Sequence, residues 1–332
     1  MSAFWKEKRV FVTGASGLVG SWLIRALVER GAHVVAFVRD HNPQSELFRS
    51  DLHRQIEMVQ GSLEEFLDLE RAINESEIDT VFHLGAQTIV GTALRSPLST
   101  FESNIRGSYN LLEACHRHRN LVRRIVIASS DKSYGTSAVL PYTEKMPLCG
   151  KSPYDVSKTC TDLLSFSYFE TFRLPLAIAR CGNIFGGGDL HWSRIVPGTI
   201  RSFLKGQAPI IRSDGTFTRD YIYVEDVVQS YLLLAENLEN PNVQGEAFNF
   251  APSVPLSVLQ MVSAIQNLMD LPHLEPQILY GAEKEIRDQF LNCQKARAIL
   301  GWAPQFSLDE GLKKTIAWYE VYYSQELLSE HL

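Results

Sequence analysis

The sequence predicts an α/β chain, a doubly wound parallel sheet followed by a smaller C-terminal α/β domain. Three observations predict it. Short apolar, β-branched runs alternate with helical stretches through the first half, the order that covers a parallel sheet with helices on both faces. A glycine-punctuated turn joins the first strand to the first helix. Near Arg180 the texture changes to a glycine-rich loop and a proline- and loop-rich remainder.

In chain order, RVFVT (Arg9 to Thr13) reads as a buried strand, and LVGSWLIRALVER as a helix stopped at Gly31. HVVAFV, IEMV, TVFHL, RRIVIAS and PLAIAR follow as further strands. Between them LEEFLDLERAI, PLSTFESNIRGSYNLLEACHRH and PYDVSKTCTDLLSFSYFETF read as helices, and GNIFGGGDLHWSR as a loop. Amphipathic helices are expected around Leu256 to Leu268 and Leu308 to Tyr322. The expected division is 1–180 and 181–332, with the segment 216–250 returning to the first domain.

A chain of 332 residues, 45% of them hydrophobic, can bury a large core. Its net charge of -6 argues against a nucleic-acid partner, which needs a Lys/Arg excess. No apolar run approaches the ~20 residues that span a bilayer, and the start MSAFWKEKRV has no apolar signal region. Cys115, Cys149, Cys160, Cys181 and Cys293 are scattered without a Cys-x-x-Cys pair, which predicts reduced thiols, no metal site and a cytoplasmic location.

Gly14, Gly17 and Gly20 lie between the first strand and the first helix, with Ser16, Leu18 and Val19 among them. Glycine leaves room for a pyrophosphate, and a helix N-terminus offers N–H donors and a positive dipole end. The strand before and the helix after are the context this motif requires. Asp40 stands about 20 residues on, where a carboxylate accepts from the ribose 2′-OH of NAD. Arg39 beside it suits the 2′-phosphate of NADP, so NAD is favoured with NADP as the alternative. Both residues also read as a solvated loop.

Tyr154 and Lys158 open a predicted helix at a spacing that puts both on one face. A fixed cation about 4 Å from the phenol is worth up to ~4 kcal/mol at an effective dielectric near 20. That predicts a Tyr154 lowered by roughly three units, towards neutrality. Ser130, ending the fifth strand, is placed to hydrogen-bond the same substrate hydroxyl.

TGASGLVG, VFHLGAQ, SSDKSYG, PYDVSK and ARCGNIFGGGD together resemble the extended short-chain dehydrogenase/reductases, over nearly the whole chain. The resemblance implies a Rossmann domain for NAD(P), a C-terminal domain for a nucleotide sugar and a homodimer through the helix carrying Tyr154. It makes Ser130, Tyr154 and Lys158 the hydride-transfer triad, and it adds Leu84 and Ala86 to the cofactor site. Asn104 matches the asparagine of the family's active-site set. His83 reads as a hydrogen-bonded core histidine. Ser62 departs from the pattern, since many relatives place an aspartate there.

Asp131-Lys132 after the serine resembles the 4,6-dehydratases, those acting on CDP-glucose above all, whereas 4-epimerases usually carry non-ionisable residues there. A dehydratase needs a base for the C5 proton and an acid for the departing 6-hydroxyl, roles that fall to Lys132 and Asp131. From reference values a neutral Lys beside a protonated Asp lies about 6.5 units uphill, on the order of 9 kcal/mol, so the roles require strong desolvation. A surface ion pair is the alternative reading. TRDYIYVEDVV looks more like the general epimerase pattern. A 4-epimerase with the same triad therefore remains the alternative, and a non-catalytic NAD(P)-sensing scaffold has no need of that triad. For the substrate diphosphate, Arg219 is the first candidate by resemblance, followed by Arg194 and Arg287, each also readable as a solvated charge. Asn183 matches a substrate-binding position or serves as a turn residue.

Overall fold

The computed structural model describes residues 3–281 and 285–329. Seven parallel strands form the central sheet: β1 (Arg9–Thr13), β2 (His33–Val38), β3 (Glu57–Gln60), β4 (Thr80–His83), β5 (Arg124–Ser130), β6 (Leu176–Cys181) and, far along the chain, Ala247–Phe250. From one edge the order is Ala247–Phe250, β6, β5, β4, β1, β2, β3. The order reverses beside β1, and the crevice at the carboxyl ends of such strands is where doubly wound sheets bind ligands.

Alternate side chains of each strand serve opposite faces. Val10, Val12, Phe82 and Val126 join one buried cluster, and Phe11, Val81, Ile125 and Ile127 the other. The covering helices in chain order are α1 (Leu18–Glu29), α2 (Glu46–Arg49), α3 (Phe66–Glu75), α4 (Val90–Arg95), α5 (Pro97–Phe101), α6 (Gly107–Arg117) and α7 (Pro153–Phe172). In α1, Leu23, Ile24 and Leu27 recur at helical spacing and are buried. The helix stops at Gly31, whose positive φ of 79° suits glycine.

The single helix expected over PLSTFESNIRGSYNLLEACHRH is interrupted by a π-helical turn at Glu102–Arg106. There the Asn104 carbonyl accepts from the Ser108 and Thr161 hydroxyls, and such replacement bonds sustain a π turn at little cost. The expected loop after Arg180 also differs. β6 runs on through Arg180 to Cys181, and β7 (Asn183–Phe185) follows after one residue.

Beyond β7 come α8 (Ile195–Leu204), β8 (Ile210–Ile211), β9 (Thr218–Arg219), β10 (Tyr221–Tyr223), α9 (Val224–Glu236), the sheet strand Ala247–Phe250 as β11, and β12 (Leu256–Ser257). The last elements are α10 (Val258–Leu268), β13 (Gln277–Ile278), β14 (Asp288–Gln289), α11 (Gln294–Leu300) and α12 (Leu308–Ser329). Helix α9 packs on α1, β5 and β6, while β9 sits between β12 and β14 in a small sheet of its own. A separate core gathers Ile200, Tyr221, Met261, Ile265, Leu312 and Tyr319 from the C-terminal elements. Among the described residues no helix is long and apolar enough to cross a membrane.

Helix α7 buries a polar stripe: Tyr154, Ser157, Lys158, Thr161, Asp162 and Ser165. Its anchor is Asp162, 0% exposed, which pairs with Arg180 of β6 at 2.9 Å and accepts from Ser129 of β5. Arg180 also donates to the Tyr134 hydroxyl at 2.8 Å, and Tyr134 donates to Asn249 of β11 at 2.8 Å. Removing one partner of such a pair strands a buried charge. Asp162→Ala is expected to lower the unfolding free energy by about 3–5 kcal/mol, measured by urea denaturation; a loss below about 1 kcal/mol would show that the pair anchors nothing.

Candidate active site

The glycine turn packs directly on the exit of β4. Gly14 has φ +68°, and a Cβ there would lie 2.7 Å from the Gly85 nitrogen. A Cβ on Gly20 would lie 2.1 Å from the Gly14 carbonyl oxygen. Gly17 caps α1 without any side-chain capping bond, so the first-turn N–H groups, those of Leu18 and Val19 among them, have no side-chain acceptor at the cap. The turn thus forms a side-chain-free cradle at a helix N-terminus, and its donor set suits a pyrophosphate.

Thr13 ties this turn to β4: its Oγ1 accepts from the Leu84 and Gly85 N–H groups at 3.1 and 3.0 Å. Having accepted twice, Thr13 donates to His83 Nδ1 at 2.9 Å. His83 Nε2 then donates to Ser108 Oγ at 3.1 Å, which donates to the Asn104 carbonyl. His83 is the core histidine expected, and burial pushes it down to about 3, with the nearby Lys158 adding to the effect. Ala86 follows half-buried on the same loop.

Arg39 and Asp40 pair with each other at 2.6 Å, both largely exposed. The two side chains expected to choose between NAD and NADP therefore neutralise one another. At Ser62, a carboxylate is supplied from nearby: the Ser62 hydroxyl donates to Glu64, and its N–H to Asp68 at 3.2 Å.

Ser152 caps α7 through a capping box with Asp155, which sets where Tyr154 and Lys158 stand. Both are buried, 8% and 5% exposed. The expected lowering of Tyr154 by Lys158 is not what this environment produces. Burial pushes Tyr154 up to about 12, Asp131 and Asp155 add to the rise, and a hydrogen bond with Ser130 and the charge of Arg194 pull against it. Lys158 Nζ donates to the Ala128 carbonyl at 2.7 Å, and burial brings it down to about 8 against the pull of Asp162. Desolvation outweighs the attraction of the two charged forms and holds both groups towards neutrality.

Ser130 ends β5 and donates to Asp131 Oδ1 at 3.0 Å while accepting from the Lys132 N–H at 3.2 Å. A 3₁₀ turn, Asp131–Tyr134, directs the next two side chains. Asp131 is 2% exposed, and Lys132 Nζ stands 3.6 Å from its Oδ1. Asp131 is thus buried beside Tyr154 and Lys132 half-buried, so the pair is not the fully exposed surface pair of the alternative reading. Lys132 also donates to Gln289 Oε1 at 2.7 Å.

The substrate handles are placed differently from one another. Arg194 donates to Asp189 and to Thr88 Oγ1, both at 3.0 Å, and acts electrostatically on Tyr154. Arg219, the first candidate for a diphosphate, is 7% exposed and donates to the carbonyls of Thr218, Arg287 and Ile286. The bonds to Ile286 and Arg287 make it a clamp on the segment that follows residue 285. Arg287 is exposed on that clamped segment. Asn183 is half-buried on β7 opposite Tyr221. Asn104 is 1% exposed, and its amide is consumed by Gln87 N–H and carbonyl and by Ser157 Oγ. Both of its N–H donors are therefore used inside the protein, and it holds the loop after β4 against α7. Gln289, Thr88 and the Asp162–Arg180 pair were not anticipated, because their spacings to the motif residues carry no periodic signal.

Residues 11–315 match the GDP-mannose 4,6 dehydratase family. The chain belongs to that family. It is 31% identical to the CDP-glucose 4,6-dehydratase of Salmonella typhimurium, over 97% of this chain and 93% of the relative. A solved UDP-glucose 4-epimerase from Thermotoga maritima, with UDP-glucose, superimposes with a TM-score of 0.87 at 28% identity, covering 95% of this chain and 99% of that one. The dTDP-glucose 4,6-dehydratase of Streptomyces venezuelae, described with NAD bound, shares the fold with a TM-score of 0.85 at 24% identity, covering 94% and 97%. These relatives of the family are enzymes of nucleotide-sugar chemistry, dehydratases and epimerases alike.

The cradle makes a sharp prediction. Gly20→Ala forces a Cβ against backbone that cannot move aside. It is expected to weaken NADH binding at least about tenfold, or ~1.4 kcal/mol, in a fluorescence titration. Gly91→Ala, whose Cβ meets nothing closer than 3.6 Å, is expected to bind as the parent does. Equal affinity in both variants would remove the turn from the cofactor site.

Proposed function

We propose that the protein is a nucleoside-diphosphate-hexose 4,6-dehydratase of the CDP-glucose type, using NAD. The observation that carries this reading is the pair of buried Asp131 and half-buried Lys132 on the turn that continues directly from Ser130. An epimerase needs only Ser130, Tyr154 and Lys158, and burying a further carboxylate beside a half-buried lysine is costly unless they are used. The 31% identity to a CDP-glucose dehydratase supports the same reading.

NAD, when bound, supplies the hydride acceptor at C4 and the donor that later reduces C6, along with a positive ring charge. The chain's own groups move the protons. Tyr154 takes the proton of the 4-hydroxyl, and Ser130, hydrogen-bonded to Tyr154, holds the same oxygen. Burial keeps the phenol protonated in the unliganded chain, so this step requires added positive charge; Arg194 supplies part of it. With C4 a ketone, and with a proton passed from Lys132 to Asp131 so that both are neutral, Lys132 removes the acidified C5 proton and Asp131 gives its proton to the 6-hydroxyl, which leaves as water. A 4-epimerase is the second reading, supported by the 28%-identical epimerase structure; it leaves Asp131 and Lys132 without a chemical part.

Incubation with CDP-, dTDP-, UDP- and GDP-glucose in D2O tests both readings. The expected product is a 4-keto-6-deoxy sugar nucleotide carrying deuterium at C5. Lys132→Ala is expected to lower turnover by about 10²–10⁴, the usual worth of a general base. A C4 epimer as the sole product, or unimpaired turnover in that variant, would overturn the dehydratase.

We also infer a homodimer. Leu94, Leu98, Tyr109 and Leu163 are 52%, 71%, 40% and 56% exposed, on α4, α5, α6 and α7, which pack beside one another. Apolar side chains gathered this way mark an association surface. Sedimentation should show a dimer that Leu98→Glu with Leu163→Glu converts to monomer; a parent that already sediments as a monomer would sink the inference.

A further inference from the structure

Gln289 lies on β14, paired in register with Arg219 of β9 in the small C-terminal sheet. It is 0% exposed. Its Oε1 accepts from Lys132 Nζ at 2.7 Å, across 157 residues of sequence. Only the oxygen of the amide can accept from an ammonium, so this bond also sets which way the amide faces. The Tyr142 hydroxyl interacts with the same amide and donates to the Gly135 carbonyl at 2.5 Å.

The two distances around Lys132 are unequal. A charge-assisted bond to a carboxylate normally closes to about 2.7–2.9 Å, yet Nζ stands 3.6 Å from Asp131 and 2.7 Å from the neutral Gln289. The ammonium therefore sits at hydrogen-bond distance from the amide and beyond it from the carboxylate. A lysine side chain loses rotamer freedom on being held, and without an acceptor beyond Asp131 it has no reason to remain extended towards β14. We propose that Gln289 is a positioning residue for Lys132: it holds the ammonium off Asp131 and leaves both groups directed at the substrate rather than at each other. The assignment rests on the dehydratase reading for its chemical purpose, but not for its geometry. Among the described residues, the other titratable groups that feel Asp131 are Tyr154 on α7, Tyr142 on the loop after the 3₁₀ turn, Asp220 after β9 and Cys181 at the end of β6.

Two variants of the full-length protein test it. Gln289→Glu replaces the neutral acceptor with a carboxylate and is expected to retain the proton on Lys132. Acylation of Lys132 by acetic anhydride at fixed alkaline pH, read by mass spectrometry against exposed Lys314, should slow at least tenfold. Gln289→Leu removes the acceptor, so Nζ closes on Asp131. With CDP-glucose, kcat should then fall at least tenfold, KM should stay within threefold, and the melting temperature should stay close to that of the parent. Unchanged Lys132 labelling in Gln289→Glu overturns the proposal. So does an unchanged kcat in a folded Gln289→Leu protein, or a kcat loss matched by lost stability. If the leucine variant does not fold, the labelling of the glutamate variant decides. The labelling needs no turnover, so a parent inactive on every nucleotide sugar would defeat the dehydratase reading and leave this result standing.

Discussion

Asp162 of α7 and Arg180 of β6 meet at 2.9 Å with side chains 0% and 2% exposed, and the candidate active site is built outward from that contact. The carboxylate accepts from Ser129 on β5, and the guanidinium reaches Tyr134, whose hydroxyl reaches Asn249 on β11. One chain of charged and polar contacts therefore locks α7 across three neighbouring strands. Tyr154 and Lys158 lie two turns and one turn before Asp162 on the same buried stripe, so the pair also determines where they sit. A buried ion pair is a poor source of net stability, because desolvation offsets most of the attraction. Its value here is directional: only one rotation and height of α7 satisfies it.

Burial then sets the electrostatics. Tyr154 is pushed up to about 12 and Lys158 down to about 8 by the same exclusion of water. Each moves towards its uncharged form. In the unliganded chain the phenol keeps its proton, and the lysine is held by the Ala128 carbonyl rather than by the phenol. Two residues at ideal helical spacing need not act on each other when a backbone acceptor lies closer. Activation of Tyr154 accordingly depends on charge brought by ligands and by Arg194, which comes from the N-terminus of α8 rather than from α7.

The C-terminal half does more than cover the crevice. β11 completes the central sheet beside β6, α9 packs on α1, and the segment around β14 delivers Gln289 to Lys132. Arg219 clamps the carbonyls of Ile286 and Arg287, and Asp220 accepts from the Leu291 N–H at 2.7 Å. Burial pushes Asp220 up to about 6. The strand that carries Gln289 is thus fixed from both sides, by a cation before it and a carboxyl group after it.

Much of this was legible in the residues alone. The strand–helix alternation, the glycine turn, the Ser130, Tyr154 and Lys158 spacing and the Asp131–Lys132 step all depend on local order, and local order survives folding. The strands expected from their apolar runs stand in the sheet because a buried parallel strand needs little beyond such a run. The interruption at Asn104 was not legible, since a π turn is paid for by hydroxyls of Ser108 and Thr161 that only packing supplies. Nor was the reversed electrostatics of Tyr154, because spacing reports which groups share a helix face and not how much water reaches them. The sequence by itself determined the fold class and the set of reactive side chains. The tertiary structure alone decided their partners: Asp131 buried beside a half-buried Lys132, Lys132 bonded to Gln289, Arg219 turned to carbonyls. Contacts between residues far apart in the chain, and the desolvation that sets their charge, come into being only when the elements pack.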